Sequence, residues 1–273
     1  MQRAAVIGLP VSQSLSPAMH NAVFAELGLD AEYLALEVAP AEFESTIDRL
    51  RSSDYVGLSV TMPHKDAAFR RCDESSLVAR TIGAVNTITF RGGAVIGDNT
   101  DGVGCVRALS HHGVVVSGSR CVVLGAGGAA RSVIEALSSA NAREVVVINR
   151  TESKAHRAVE GIERSRVGDV VDVTGADVVV NCTSVGMGTN ESPLAPSSLV
   201  GVGAVLDAVY HPMRTKLLDT AIAAGSKAVD GLWMLVFQAV EQQRLWFGHD
   251  VDAQVMRSAA ISELARRGND PTL

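Results

Sequence analysis

The segment "VVLGAGGAARSVIEAL", Val122 to Leu137, changes its period in mid-course. It opens as an apolar β-branched run, passes three glycines (Gly125, Gly127 and Gly128), and continues with Val133, Ile134 and Leu137 at helical spacing. A G-x-G-x-x-A turn between a strand and a helix has a physical logic. The first glycine permits the tight turn, the second lets the backbone approach a pyrophosphate, and Ala130 lets helix and strand pack closely. The start of the helix adds amide donors and the positive end of its dipole, so the segment predicts a dinucleotide site.

Working outward, the next strand run, "EVVVINRT", ends at Asn149, Arg150 and Thr151, with Lys154 one turn on. A carboxylate at this point would serve the ribose 2′-hydroxyl of NAD, whereas an arginine fork accepts a 2′-phosphate, so the pattern predicts NADP. The competing reading of Arg150 and Lys154 is a solvated helix start. "ADVVVNCTS" and "GAVLDAVY" repeat the alternation, and their continuous β-branched runs indicate strands buried on both faces. Upstream, "RAAVIGL", a helix from Pro17 to about Leu27, "AEYLALEV", a helix from Ala41 to about Ser52 and "YVGLSV" predict a mainly parallel sheet covered by helices. Between the two series, "GAVNTITFRGGAVIGDNTDG" reads as two strands flanking an Arg-Gly-Gly turn.

The expected class is therefore α/β with two domains and a cleft between them. Residues 1–101, completed by C-terminal helices at 237–267, form a three-layer α/β substrate domain; residues 102–236 form a Rossmann-type nucleotide domain. Trp233, Phe237 and Trp246, in the long helix after Gly231, need a large surface to bury against. The tail "GNDPTL" reads as disordered.

Composition narrows the function. A chain of 273 residues that is 47% hydrophobic and 20% charged is neither disordered, collagenous nor coiled coil. The net charge is -6 and the 24 lysines and arginines are scattered, which argues against nucleic acid or a membrane surface and for a small-molecule partner. Cys72, Cys105, Cys121 and Cys182 show no metal spacing and read as reduced core thiols. No apolar run approaches the ~18 residues of a membrane span, and the short "AAVIGLPV" lacks a following cleavage site, so a cytoplasmic protein is expected.

Three polar clusters, "GLPVSQSLSPAMHN", "LSVTMPHK" and the "GDNTDG" end of the hairpin segment, each adjoin a strand pattern and would gather at one edge of a sheet. Their Ser, Thr, Asn and Gln side chains suit a polyhydroxylated acid. Other readings stand beside this one. Ser14 and Ser16 precede Pro17 and would serve equally as helix caps, and Asn86 and Thr87 would satisfy backbone groups. His20 and His64 have no carboxylate or cysteine at ligand spacing and read as structural. Gln238, inside an apolar helix, needs a partner, and a ligand is one source.

The chain resembles the shikimate dehydrogenase family in ordered motifs along nearly its whole length: "SLSPAMHN", "VTMPHK", "IGAVNT", "DNTDG", "GAGGAAR", "NRT", "NCTSVGM", "DAVYHPMRTKLL" and "GLWMLVFQA". The resemblance implies reversible NADPH-dependent reduction of 3-dehydroshikimate to shikimate. It implies Lys65 and Asp101 as the catalytic pair, with Lys65 donating the proton and Asp101 orienting it. Ser14 and Ser16 would hold the substrate carboxylate, and Thr61, Asn86, Tyr210 and Gln238 the carboxylate or ring hydroxyls. Gly125, Ala126, Gly127, Gly128 and Ala129 would hold pyrophosphate, Asn149, Arg150, Thr151 and Lys154 the adenosine phosphate, and Thr183, Ala208 and Gly231 would lie near the ribose or nicotinamide. A metal is not implied, and the assembly would be a monomer or homodimer. Many members carry asparagine where this chain has Ser59, a shorter side chain with one hydroxyl in place of the amide's donor and acceptor. The competing functions are a quinate or aminoshikimate dehydrogenase of the same family and, further off, a non-catalytic NADP-binding sensor.

Overall fold

The computed structural model describes residues 1–268; the rest of the expected disordered tail, Asn269 to Leu273, lies outside the described residues. The chain divides into two compact units, Met1–Thr100 with Gln238–Gly268, and Asp101–Phe237.

The first unit begins β1 (Gln2–Gly8), α1 (Ser16–Leu27), β2 (Ala31–Glu37), α2 (Phe43–Arg51), β3 (Tyr55–Val60), α3 (Lys65–Arg71), β4 (Glu74–Ser75), α4 (Leu77–Ile82), β5 (Thr87–Arg91) and β6 (Ala94–Asp98). The helix expected from Ala41 starts as a 3-10 turn over Pro40–Glu42 and becomes α2 at Phe43. β4 and α4, two and six residues long, are too short to show a period in the sequence.

The strand order is β2-β1-β3-β5-β6-β4. β1 pairs in parallel with β2 and β3, because α1 and α2 carry the chain back between them. β3, β5 and β6 are antiparallel. Only Gly92 and Gly93, with φ of 58° and 80°, join β5 to β6, and a two-residue turn with both φ positive joins antiparallel strands alone.

Alternation along β1 builds both faces of this sheet. Ala5 and Ile7 join Phe43 and Ile47 of α2 together with Leu58 and Ile88. Ala4 and Val6 face the other way, toward Phe24 of α1, Tyr33, Trp246 and Phe247. Burial of each of the large side chains contributes ~1.5 to 3 kcal/mol. Gly57 on β3 has no alternative here: a Cβ would collide with the indole of Trp246, whose Nε1 donates to the Ile88 carbonyl at 3.0 Å.

The second unit contains α5 (Asp101–His111), β7 (Arg120–Leu124), α6 (Gly128–Ser139), β8 (Glu144–Ile148), α7 (Glu152–Val159), β9 (Ser165–Val167), β10 (Val178–Asn181), β11 (Ala204–Asp207), α8 (Lys216–Ala223) and β12 (Lys227–Val229). The division between units falls inside the next helix, α9 (Gly231–Phe247), and the first unit ends with α10 (Ala253–Arg266), which packs on α1.

All strand pairs in the second unit are parallel, in the order β12-β11-β10-β7-β8-β9. Numbered from β7, this is the doubly wound order 3-2-1-4-5-6, whose topological switch lies between β7 and β10. The β-branched runs are buried on both faces as their composition requires: Val145 to Val147 and Val179 to Val180 have no exposed surface. α5 lies close against α6, where Gly102 donates from its amide to Ser132 Oγ at 2.8 Å and a Cβ would stand 2.7 Å from that of Ala136. Trp233 and Phe237 are both buried and stack with ring centroids 5.4 Å apart.

All four cysteines are thiols, but only Cys105 and Cys121 are core residues. Cys72 and Cys182 are partly exposed. Cys182 falls one residue beyond the end of β10, where the apolar run stops protecting it. Among the described residues no helix is long and apolar enough to cross a membrane, and no three His, Cys, Asp or Glu side chains are grouped to hold a metal.

His64 Nε2 lies 2.7 Å from the Val38 carbonyl and its ring stacks on Phe43. His20 has no exposed surface, stacks on Tyr33 at 4.2 Å, and its Nδ1 accepts from Gln243 Nε2 at 2.8 Å. Burial drives the His20 imidazole down to about 3, with the Gln242 side chain pulling weakly the other way. Between that value and the ordinary 6.5 the unfolded chain binds the extra proton. The contribution of neutral His20 is therefore complete above pH 6.5 and is lost as pH falls toward 3. Urea unfolding at pH 7 and pH 5 should show the wild type losing more stability on acidification than His20→Gln; equal losses would refute the assignment.

Candidate active site

In the first unit the polar clusters meet at one end of the sheet, beyond the carboxyl ends of β1 and β3 and before the start of β5. Thr61 donates from its amide to the Ile7 carbonyl at 3.0 Å. Val60 N donates to Asn86 O at 2.7 Å, and Val85 N donates to Lys65 O at 3.0 Å. These backbone bonds hold the chain at Thr61, Lys65 and Asn86 together at this end of the sheet. Lys65 is the first residue of α3, and Gly8 admits Thr61 because a Cβ there would collide with the Thr61 methyl.

The serine loop follows β1. Neither serine occupies the cap position of α1, which is Leu15 with no side-chain cap bond, but Ser14 Oγ accepts from Ser16 N, the first amide of the helix, at 3.2 Å. Arg267, at the end of α10, holds the loop from outside by donating to the carbonyls of Gln13 at 2.7 Å and Ser14 at 3.2 Å. Glu263 positions Arg267 with a 2.7 Å ion pair.

Asn86 is buried, and its Oδ1 accepts from Thr87 Oγ1 (2.7 Å) and from Thr100 N (2.8 Å), while its Nδ2 donates to Thr100 Oγ1 at 3.1 Å. It therefore satisfies a backbone group, as one reading of the sequence has it, and in doing so aims its amide. Gln238 is also buried, with its Oε1 3.4 Å from Thr100 Oγ1. Behind Asn86 runs a chain of bonds that spacing in the sequence gives no sign of. Tyr33 OH donates to Ser59 Oγ at 2.6 Å, Ser59 Oγ to Gln242 Oε1 at 2.7 Å, and Gln242 Nε2 to Thr87 Oγ1 at 3.0 Å. Ser16 also reaches the Tyr33 hydroxyl, whose ionisation burial pushes far above the ordinary tyrosine range.

In the second unit the glycine turn sits at the switch point. Gly125 has φ 112°, its amide donates to Ile148 O at 2.8 Å, and a Cβ on it would stand 3.2 Å from the Cys182 carbonyl group. The space around Gly127 is open, and α6 begins there with no side-chain cap and no acidic residue in its first turn. Those amides and the dipole are left to an anion. Ala126, Gly128 and Ala129 are partly exposed beside Gly127, and at the end of β8 Arg150, Thr151 and Lys154 are exposed with Asn149 partly so. The residues present therefore fit a phosphorylated dinucleotide.

Thr183, Ala208 and Gly231 are gathered by a buried knot that the sequence did not announce. Asp207 has no exposed surface; its Oδ1 accepts from Asn181 Nδ2 (2.8 Å) and Val209 N (3.1 Å), and its Oδ2 from Thr215 Oγ1 (2.7 Å). Asn181 Oδ1 in turn accepts from Thr183 Oγ1 at 2.7 Å. Gly231 lies so close that a Cβ would stand 2.6 Å from the Ala208 carbonyl oxygen. Burial raises the Asp207 carboxyl, and the bonds from Thr215, Val209 and Asn181 pull it back. Of the expected catalytic and substrate residues, Ser14, Ser16, Thr61, Lys65, Asn86 and Gln238 belong to the first unit, and Asp101, first residue of α5, and Tyr210 to the second.

Asp207→Asn should cost about 1 to 3 kcal/mol, since its three donors lose a charged acceptor and its amide nitrogen has a partner only if the Thr215 hydroxyl turns to accept. Urea unfolding checks this, and an unchanged midpoint would mean the knot relaxes freely.

Family models match along the chain: "Shikimate dehydrogenase substrate binding domain" over residues 6–88, "Shikimate / quinate 5-dehydrogenase" over 108–187 and "Shikimate 5'-dehydrogenase C-terminal domain" over 231–261. The chain is 43% identical over 267 residues to the shikimate dehydrogenase (NADP(+)) of Thermococcus kodakarensis, covering 95% of this chain and 96% of that protein. The crystal structure of shikimate 5-dehydrogenase from Thermus thermophilus, in complex with NADP(H) and shikimate, superposes with TM-score 0.91 at 38% identity, over 95% of this chain and 98% of the other. A ligand-free 5-ketofructose reductase of Gluconobacter gives TM-score 0.88 at 31% identity, over 96% and 98%. The chain belongs to the shikimate dehydrogenase family.

Proposed function

We propose that this chain catalyses the reversible NADPH-dependent reduction of 3-dehydroshikimate to shikimate, a step of aromatic amino acid biosynthesis. What supports the reading is that backbone bonds draw the chain at Thr61, Lys65 and Asn86 to one sheet end in a chain of this family, with the serine loop following β1 at its carboxyl end and Gln238 bonded through Thr100 to Asn86. The hydroxyls of Ser14 and Ser16 hold the carboxylate, and Thr61, Asn86, Gln238 and Tyr210 hold the carboxylate or the ring hydroxyls.

When bound, NADPH supplies the hydride. The glycine turn with the uncapped start of α6 holds its pyrophosphate, and Asn149, Arg150, Thr151 and Lys154 hold the 2′-phosphate. Thr183, Ala208 and Gly231 lie near the ribose or the nicotinamide. Lys65 gives its proton to the carbonyl oxygen as negative charge develops there, and takes it back in the reverse reaction. Asp101 orients Lys65. The enzyme works in the cytoplasm as a monomer or homodimer and uses neither metal nor nucleic acid.

Steady-state assays of shikimate, quinate and 5-ketofructose substrates, each with NADP and NAD forms, test the reading. Preference for shikimate with NADP is expected; a higher kcat/KM for quinate or 5-ketofructose would overturn the substrate, and inactivity with all would favour a sensor. Lys65→Ala should lower kcat about a hundredfold or more with a much smaller change in KM. A raised KM with kcat intact would make Lys65 a binding residue instead. Arg150→Ala should raise the KM for NADPH about tenfold and leave that for NADH unchanged, in keeping with the loss of a charge-assisted bond; equal changes with both would remove the 2′-phosphate from its role.

A further inference from the structure

We propose that Ser59 is a positioning residue, which acts on the substrate only through Gln242, Thr87 and the amide of Asn86, and makes no substrate contact of its own. The proposal deepens the shikimate dehydrogenase reading and rests on it for the role of Asn86. It starts from a count of donors and acceptors. A serine hydroxyl has one proton and two lone pairs. The Ser59 proton goes to Gln242 Oε1 at 2.7 Å and one lone pair takes the Tyr33 proton at 2.6 Å, in a residue only 7% exposed. The one proton Ser59 could offer a substrate oxygen is spent inside the protein, and burial of the residue keeps its remaining lone pair from the proton of a ring hydroxyl.

What this achieves is directional. Tyr33 OH has a single proton, and by giving it to Ser59 it turns the Ser59 proton toward Gln242. With its oxygen facing Ser59, Gln242 presents its NH2 to Thr87, and Thr87, now an acceptor from Gln242 at 3.0 Å, sends its own proton to Asn86 Oδ1 at 2.7 Å. The Thr100 amide, a pure donor 2.8 Å from Asn86 Oδ1, already decides which end of that amide faces inward. The relay adds the second proton that holds the amide in plane.

Removing the Ser59 hydroxyl breaks this order at its source. Gln242 has no exposed surface, so its oxygen must find another donor. Thr87, already bonded to the Gln242 amide at 3.0 Å, is one such hydroxyl, and a Thr87 proton turned toward Gln242 is one withdrawn from Asn86; the His20 imidazole, whose Nε2 is buried without a partner, is the competing donor, and if it supplied the bond Ser59→Ala would leave kcat unchanged. The three side chains come from β3, α9 and β5, all within the first unit.

Ser59→Ala should lower kcat for shikimate about tenfold, with the KM for shikimate changed less than threefold and that for NADP unchanged; Ser59→Thr, which keeps the hydroxyl, should restore most of the loss. Placed in an Asn86→Ala background, Ser59→Ala should cost nothing further, because the relay then has no end to act on. A raised shikimate KM at unchanged kcat, an unchanged kcat, or a loss that adds in full to that of Asn86→Ala would each overturn the proposal. If Ser59→Ala does not fold, as judged by its thermal transition, Gln242→Met is read by the same criteria. A spectroscopic arm is independent of the substrate: the side-chain NH2 resonances of Asn86, assigned by their loss in Asn86→Ala, should shift in Ser59→Ala and Gln242→Met and return in Ser59→Thr. Unmoved resonances would end the proposal, whereas shifted resonances in a protein inactive on shikimate would uphold the relay and sink only the reaction.

Discussion

A polar side chain buried where a strand ends must find its hydrogen bonds in the neighbouring loops, and both units are organised by that requirement. In the first, Asn86 binds Thr100 and Thr87 across the mouth of the sheet. In the second, Asp207 binds Asn181, Val209 and Thr215 across the ends of β10 and β11. Each group left unpaired at such depth would cost about 1 to 3 kcal/mol, more than any single loop contact supplies, so the loops are committed to one arrangement. The side chains that would face ligands stand on loops held by these inner bonds.

The division of labour at the proposed nucleotide site follows from magnitudes. The start of α6 contributes ~0.3 to 1 kcal/mol to an anion through its dipole, and it treats NAD and NADP alike because both carry the pyrophosphate. On the proposed reading discrimination would fall to the exposed Arg150 and Lys154 at the end of β8, where a charge-assisted bond is worth ~1.5 to 3 kcal/mol. The absence of a carboxylate at 149–151 matters as much as the presence of arginine, since it removes the repulsion that would turn the 2′-phosphate away.

How much was legible in the sequence depended on distance along the chain. The turn at Gly125, the paired strands around Gly92 and Gly93, and the start of α3 at Lys65 are local, and their residues announce them through φ, period and spacing. The switch point between β7 and β10 was legible only as a series of buried strands, because strand order is a property of pairing and not of any one segment. The inner bonds were not legible at all. Ser59 and Gln242 are 183 residues apart, and Gln242 and Thr87 155 apart. Arg267 reaches back 254 residues to the Gln13 carbonyl. A glutamine on an apolar helix shows that a partner is needed without saying which, and nothing in the run "GAVLDAVY" shows what Asp207 would bind.

Ser59 shows why residue type alone misleads at such a site. Compared with asparagine it looks like a loss, one hydroxyl in place of an amide's acceptor and two protons. In its surroundings it is neither free nor deficient, because Tyr33 and Gln242 use its proton and a lone pair. The relevant unit is the set of four side chains, and its output is the direction in which Asn86 holds an N–H. A site built this way tolerates change at a position that touches ligand less readily than its surface suggests, and it tolerates change behind the ligand only when the donor count is kept. On the proposed reading, selectivity for a ring hydroxyl would be set by which inner proton is given to which oxygen, one layer deeper than the residues proposed to meet the substrate.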